Sequence, residues 1–101
     1  MHLIQILLPL RDPEGHSFPR SALEAETQDL TARFGGVTAY LRNPASGAWQ
    51  QDGSVEQDDV VMIEVMTPDL DESWWRAYRG DLETRFRQDT VLMRAIEVRS
   101  L

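Results

Sequence analysis

Between Leu3 and Leu10 apolar side chains occupy both parities of the chain, Ile4, Ile6 and Leu8 on one and Leu3 and Leu7 on the other. That is the pattern of a strand buried on both faces. From about Pro19 to Phe34 the spacing changes: Leu23, Thr27, Leu30 and Phe34 recur at helical intervals, while Glu24, Asp29 and Arg33 fall off that stripe. Ser17 or Ser21 is the expected N-cap, and Ser21 with Glu24 has the form of a capping box. Gly35-Gly36 stands just past the last apolar position, where a helix end needs a left-handed residue. Glycine loops that cradle phosphates run in the reverse order, strand then glycines then helix, so this pair reads as the end of a helix and not as a ligand site.

Val37, Ala39 and Leu41 then alternate with Thr38, Tyr40 and Arg42, which predicts a half-buried strand. Asn43-Pro44, Ser46-Gly47 and Asp52-Gly53 mark turns, with the short arm around Trp49 between them. Val60 to Met66 is a second strand with two apolar faces, Val61, Ile63 and Val65 against Val60, Met62 and Met66, broken only by Glu64. A second helix is expected from about Asp71, with Trp75, Tyr78, Leu82 and Phe86 as its inner stripe and Trp74 at the margin. Acidic Asp71 and Glu72 at its start and Arg85 and Arg87 near its end suit the helix dipole. Val91 to Val98 is the last strand, interrupted by Arg94.

The order strand, helix, strand, strand, helix, strand is the ferredoxin-like split βαβ plan, an α+β fold with an antiparallel four-stranded sheet and two helices on one face. The two doubly apolar strands are the first and third, which that plan places at the centre. At 101 residues the chain is expected to form a single domain over 1–101. With both helices on one side, Leu3, Leu7, Val60, Met62 and Met66 share the other side, and an apolar patch of that extent predicts a homodimer packed through the sheet face.

The net charge of −7 repels phosphate backbones, so neither nucleic acid nor an anionic membrane surface is an expected partner. The N-terminal apolar run lacks a basic leader and a small-residue cleavage site, and no run is long enough to span a bilayer, so a cytoplasmic location is expected. All ten basic residues are arginine, which removes Schiff-base chemistry and a phosphate-loop lysine; the absence of cysteine removes thiol nucleophiles and disulfides.

Chemistry-bearing residues fall into a few groups. The loop Arg11 to His16 offers Asp12, Glu14 and His16, and the split plan is expected to bring it to the same sheet end as Asp69, Asp71 and Glu72. Such a cluster suits a divalent cation or an acid–base pair, but Pro13 and Gly15 also make it a plain turn-forming loop, and neither a metal nor a cofactor is expected. Gln5, Tyr40, Arg42 and Glu64 share a parity facing away from the helices. A buried Glu64 there must be paired, with Arg42 or a partner subunit's arginine as the natural counter-ion. This set is either a pocket for a small anionic or phenolic ligand or a polar cluster fixing dimer register. Trp49 and Trp74 are the aromatics least explained by the core and can line a pocket or an interface; Arg76 and Arg79 can hold a carboxylate or phosphate, but in so acidic a chain a solvated, salt-bridged face is the expected reading. Hydrolase and nucleotide-loop motifs are absent.

The segments RFGGVTAYLR, SGAW, VEQDDVVMIEV and SWWRAYRGDLETRFRQD together resemble an uncharacterised bacterial family of about this length, related in shape to the dimeric α/β-barrel group. The resemblance implies the same ferredoxin-like fold; the wider group includes cofactor-independent monooxygenases, haem-degrading enzymes and stress-response proteins. It assigns no catalytic residue. The expected function is therefore a small homodimeric ligand-binding or accessory protein without metal or nucleotide cofactor. The alternatives are a cofactor-independent enzyme of the monooxygenase kind, using His16, Tyr40 or Glu64, and a protein-interaction module using the open sheet face.

Overall fold

A computed structural model of the chain describes residues 1–42 and 60–101, with side chains described for 1–38 and 60–101. The elements in chain order are β1 (His2–Pro9), α1 (Arg20–Phe34), β2 (Val37–Arg42), β3 (Val60–Thr67), α2 (Glu72–Arg85) and β4 (Leu92–Glu97). They form one antiparallel sheet of order β2-β3-β1-β4, with β1 and β3 at its centre. The fold is ferredoxin-like.

One parity of the sheet carries the core. Ile4, Ile6 and Leu8 of β1 and Val61, Ile63 and Val65 of β3 are buried against Leu30 of α1 and Trp75, Tyr78 and Leu82 of α2, with Phe86 and Val91 closing one end. Fully burying each such side chain contributes about 1.5–3 kcal/mol relative to exposure, which is what holds two short helices to the sheet.

The helix ends only partly follow the sequence signals. Asp71 caps α2, its side chain accepting from the Trp74 backbone N–H at 3.1 Å. In α1 the N-cap is Pro19, which makes no side-chain cap bond; Ser21 lies inside the first turn and the expected capping box does not form. Phe18, held by its backbone N–H to the Leu10 carbonyl at 2.9 Å, already fixes how the chain enters this helix. Gly35 ends α1 at φ 83°, donating its N–H to the Thr31 carbonyl at 2.8 Å. The turns around Asn43-Pro44, Ser46-Gly47 and Asp52-Gly53, and Trp49 between them, lie outside the described residues. Among the described residues no helix is long and apolar enough to cross a membrane.

Candidate functional site

Antiparallel register decides what stands on the sheet face opposite the helices. Glu64 of β3 lies across from Gln5 of β1, and Gln5 in turn lies across from Arg94 of β4. The three side chains are joined: Arg94 Nε donates to Gln5 Oε1 at 2.7 Å, and Gln5 Nε2 donates to Glu64 Oε2 at 2.7 Å. A guanidinium and a carboxylate are thus linked through an amide across three strands, with the glutamine orientation set by the charges at its two ends. Thr38 of β2 extends the same row on the far side of Glu64.

Apolar rows border this polar row. On one side Leu3 lies between Met66 and Ile96; on the other Leu7 lies between Met62 and Leu92. Met66, Leu92 and Ile96 are 44%, 53% and 41% exposed. Met62, expected to be part of the open patch, is buried at 2% although it sits on this face. The apolar surface is therefore displaced toward β4, an element whose contribution the sequence pattern obscured.

Tyr40 and Arg42 lie on β2 at register positions opposite Met62 and Val60. Arg94, from the other edge of the sheet, also shares the Glu64 row, and only its interruption of an apolar strand hinted at it in the sequence.

The loop after β1 is a second constellation, and its surroundings differ from expectation. Because β1 and β3 are antiparallel, Pro9 pairs with Val60, so the loop after β1 and the loop after β3 emerge at opposite ends of the sheet. Asp69, Asp71 and Glu72 are therefore not its neighbours. It meets the end of α2 instead. Asp12 is buried, and its Oδ1 accepts the backbone N–H groups of Glu14 and His16 at 3.0 and 2.8 Å. Its Oδ2 accepts from Arg87 Nε at 3.0 Å and lies 3.2 Å from His16 Nδ1. Gln88 Nε2 adds a bond to the Arg11 carbonyl at 2.7 Å, and the Arg87 guanidinium sits 4.6 Å from the Phe18 ring centre.

Burial pushes the Asp12 carboxyl upward, but the His16 backbone N–H, the Arg87 guanidinium and the His16 ring outweigh it and hold the pKa below the ordinary value of 3.8. Asp12, Glu14 and His16 do bring one ligand atom each within 4.8 Å of one another. Both Asp12 oxygens, however, already accept hydrogen bonds, one of them from a cation, so the group is built as a turn that docks the loop onto α2.

Trp74 lies on the helix side, away from the sheet's open face. Its ring stacks on Tyr78 at 5.2 Å, with the Arg33 guanidinium 4.2 Å from its centre and Phe34 against its edge. Beside it is a group that sequence reasoning missed: Glu26 of α1, only 5% exposed. It accepts from the Tyr78 hydroxyl at 3.0 Å and from Arg85 Nε and Nη2 at 2.7 and 2.8 Å. Burial beside this carboxylate drives the Tyr78 phenol pKa far above its ordinary value, and the Glu26 hydrogen bonds raise that of Arg85. Glu26 lies one turn from Ala22 and Leu30, but the stripe expected for this helix, Leu23, Thr27, Leu30 and Phe34, leaves it out, and its charge argues against a buried position.

A solved structure with the same architecture is a phage SAM lyase in complex with S-methyl-5'-thioadenosine. This chain is similar to it with a TM-score of 0.60 and 16% sequence identity, over 95% of this chain and 80% of that one. At that identity the likeness shows the fold alone. No family model and no curated protein matches the chain.

Proposed function

We propose that this protein is a small-molecule-binding protein that forms one domain over residues 1–101 and works as a homodimer joined through its open sheet face. The observation that carries the dimer is the hydrogen-bonded row Gln5–Glu64–Arg94 set between apolar rows that include exposed Met66, Leu92 and Ile96. A two-fold axis through such a face lets each copy cover the apolar rows of the other, and it sets the acidic end of one polar row against the basic end of its partner. The polar row then serves to fix register, and Tyr40 and Arg42 border it on β2. Ligand binding is supported by the fold's demonstrated capacity, in the phage SAM lyase, to hold a small organic molecule. The uncharacterised bacterial family with dimeric α/β-barrel shape remains the family we assign on resemblance.

Light scattering on the full chain tests the dimer. Leu92→Glu changes an exposed residue and costs a monomer little, but buries a charge in the proposed interface. The parent is expected at twice the chain mass and the variant at one chain mass. A monomeric parent, or a variant of unchanged mass, refutes this interface.

One contact favours an enzymatic second reading. Asp12 Oδ2 lies beside His16 Nδ1, and the His16 side chain is 67% exposed, so a carboxylate orients an imidazole whose other nitrogen is open to a substrate. Under that reading His16→Gln abolishes turnover without loss of fold; under the binding reading it leaves ligand affinity unchanged.

A further inference from the structure

The helix side of the sheet is not fully closed by α2. Between the first half of α2 and the edge strand β4 lies a cleft of about 250 Å³, room for roughly eight water molecules at about 30 Å³ each. Its floor is Ile4, Leu70, Trp75 and Met93. Arg76 and Arg79 stand over that floor from α2, and Glu72 shares the lining. Arg76 is already engaged, its Nη2 lying 3.3 Å from Glu72 Oε2. Among the described residues, no hydrogen bond or ion pair holds Arg79. Arg94 also borders the cleft, but its Nε is drawn to Gln5 on the other sheet face.

We infer that this cleft binds a small organic acid, its carboxylate on Arg79 and its apolar body on the Ile4–Trp75–Met93 floor. This rests on the ligand-binding half of the function proposed above and names the site and the chemical class. A guanidinium presents a planar fork of donors that matches a carboxylate. An aromatic and aliphatic floor with charged side chains above it holds an apolar body and orients a charged group. Charge sets the valence: with Arg76 neutralised by Glu72 and Arg94 bonded to Gln5 on the other sheet face, Arg79 is, among the described residues, the guanidinium left over the floor without a partner, in a chain of net charge −7. A dianion would meet repulsion from the rest of the protein that one guanidinium does not offset, so a monoanion fits better than a phosphate ester. The cleft wall adds hydrogen-bonding capacity, because among the described residues β4 pairs only with β1 and every second backbone N–H and C=O along it lacks a ladder partner there.

The test is a titration of the ¹⁵N-labelled full chain with 3-phenylpropionate, followed by NMR, with 3-phenylpropionamide and inorganic phosphate as comparison probes and light scattering on the same samples. Saturable shifts are expected at Leu70, Arg79, Met93 and Ala95 and at the Trp75 indole N–H, with a Kd on the order of 1 mM for a ligand of this size. Arg79→Gln, at an exposed helix position, is expected to weaken binding about tenfold or more, the loss of a charge-assisted pair. No saturable shift, equal affinity for the neutral amide, or tighter binding of inorganic phosphate each overturns the inference. Because mass and binding are read separately, a dimer that fails to bind refutes the cleft, and a monomer that binds refutes the interface.

Discussion

Glu26 is the most exacting test of how the two helices are held together. In Glu26→Ala the Tyr78 hydroxyl loses its acceptor and the Arg85 guanidinium loses two bonds. The Tyr78 side is buried, and an orphaned buried donor costs about 1–3 kcal/mol. The Arg85 side chain is 47% exposed, so water replaces much of what it loses, and a half-exposed ion pair contributes only about 0–1 kcal/mol. The expected loss is therefore about 2–3 kcal/mol, or roughly 10–20 °C in Tm for a chain of this size. Urea unfolding followed by the fluorescence of Trp74 and Trp75, which adjoin Tyr78, gives the free energy directly. Tyr78→Phe removes the stranded hydroxyl in advance, so Glu26→Ala made in that background is expected to cost about 1 kcal/mol less, a coupling that a double-mutant cycle reads out. A cost below about 0.5 kcal/mol, the range of an ordinary surface substitution, or a coupling of zero, would refute the inter-helix role.

Further outcomes are expected elsewhere. Gly35→Ala should destabilise by about 1–2 kcal/mol and Gly36→Ala much less in the same urea assay, since a Cβ at either meets no atom within 4 Å and only Gly35 of the pair has positive φ; equal costs would mean that the helix end does not depend on the left-handed residue. Because the folded pKa of Asp12 lies below 3.8, the stability it contributes is present above pH 3.8 and is lost as the pH falls from there through the lower folded value. The Asp12→Asn variant should accordingly lose less stability than the parent between pH 5 and pH 2, a window of roughly the span over which such carboxylates titrate; parallel acid-denaturation curves would contradict the docking role of this loop.

Much of this architecture was legible in the chain itself. Two apolar parities in β1 and β3 predicted central strands, and Gly35 marked the end of α1, because burial on two faces and a left-handed helix end each demand particular residue types locally. Strand direction is also implicit in the plan, and the antiparallel pairing of β1 with β3 puts the loop after β1 at the sheet end opposite the one expected. Which acidic groups it meets depends on strand polarity and not on proximity in sequence, so Arg87 and Gln88, at the end of α2, took the place expected for Asp69 and Asp71. Glu64 was recognisable as a charge that needs a partner, and parity grouped it with Gln5, but the place of Arg94 in the same row was not legible. Gln5 and Arg94 stand 59 and 30 positions from Glu64 in the chain, and only the register of three strands puts them in one row. Glu26 was hidden for the same reason: a carboxylate is excluded from a core until its counter-ion is known, and Arg85 lies 59 residues away. Local patterning thus determined the elements and their inward faces, because the hydrophobic effect acts on periodicity. The pairing of charges, the cleft beside α2 and the polar row on the open face were decided by tertiary structure, because each joins groups that only folding brings within hydrogen-bond or contact distance.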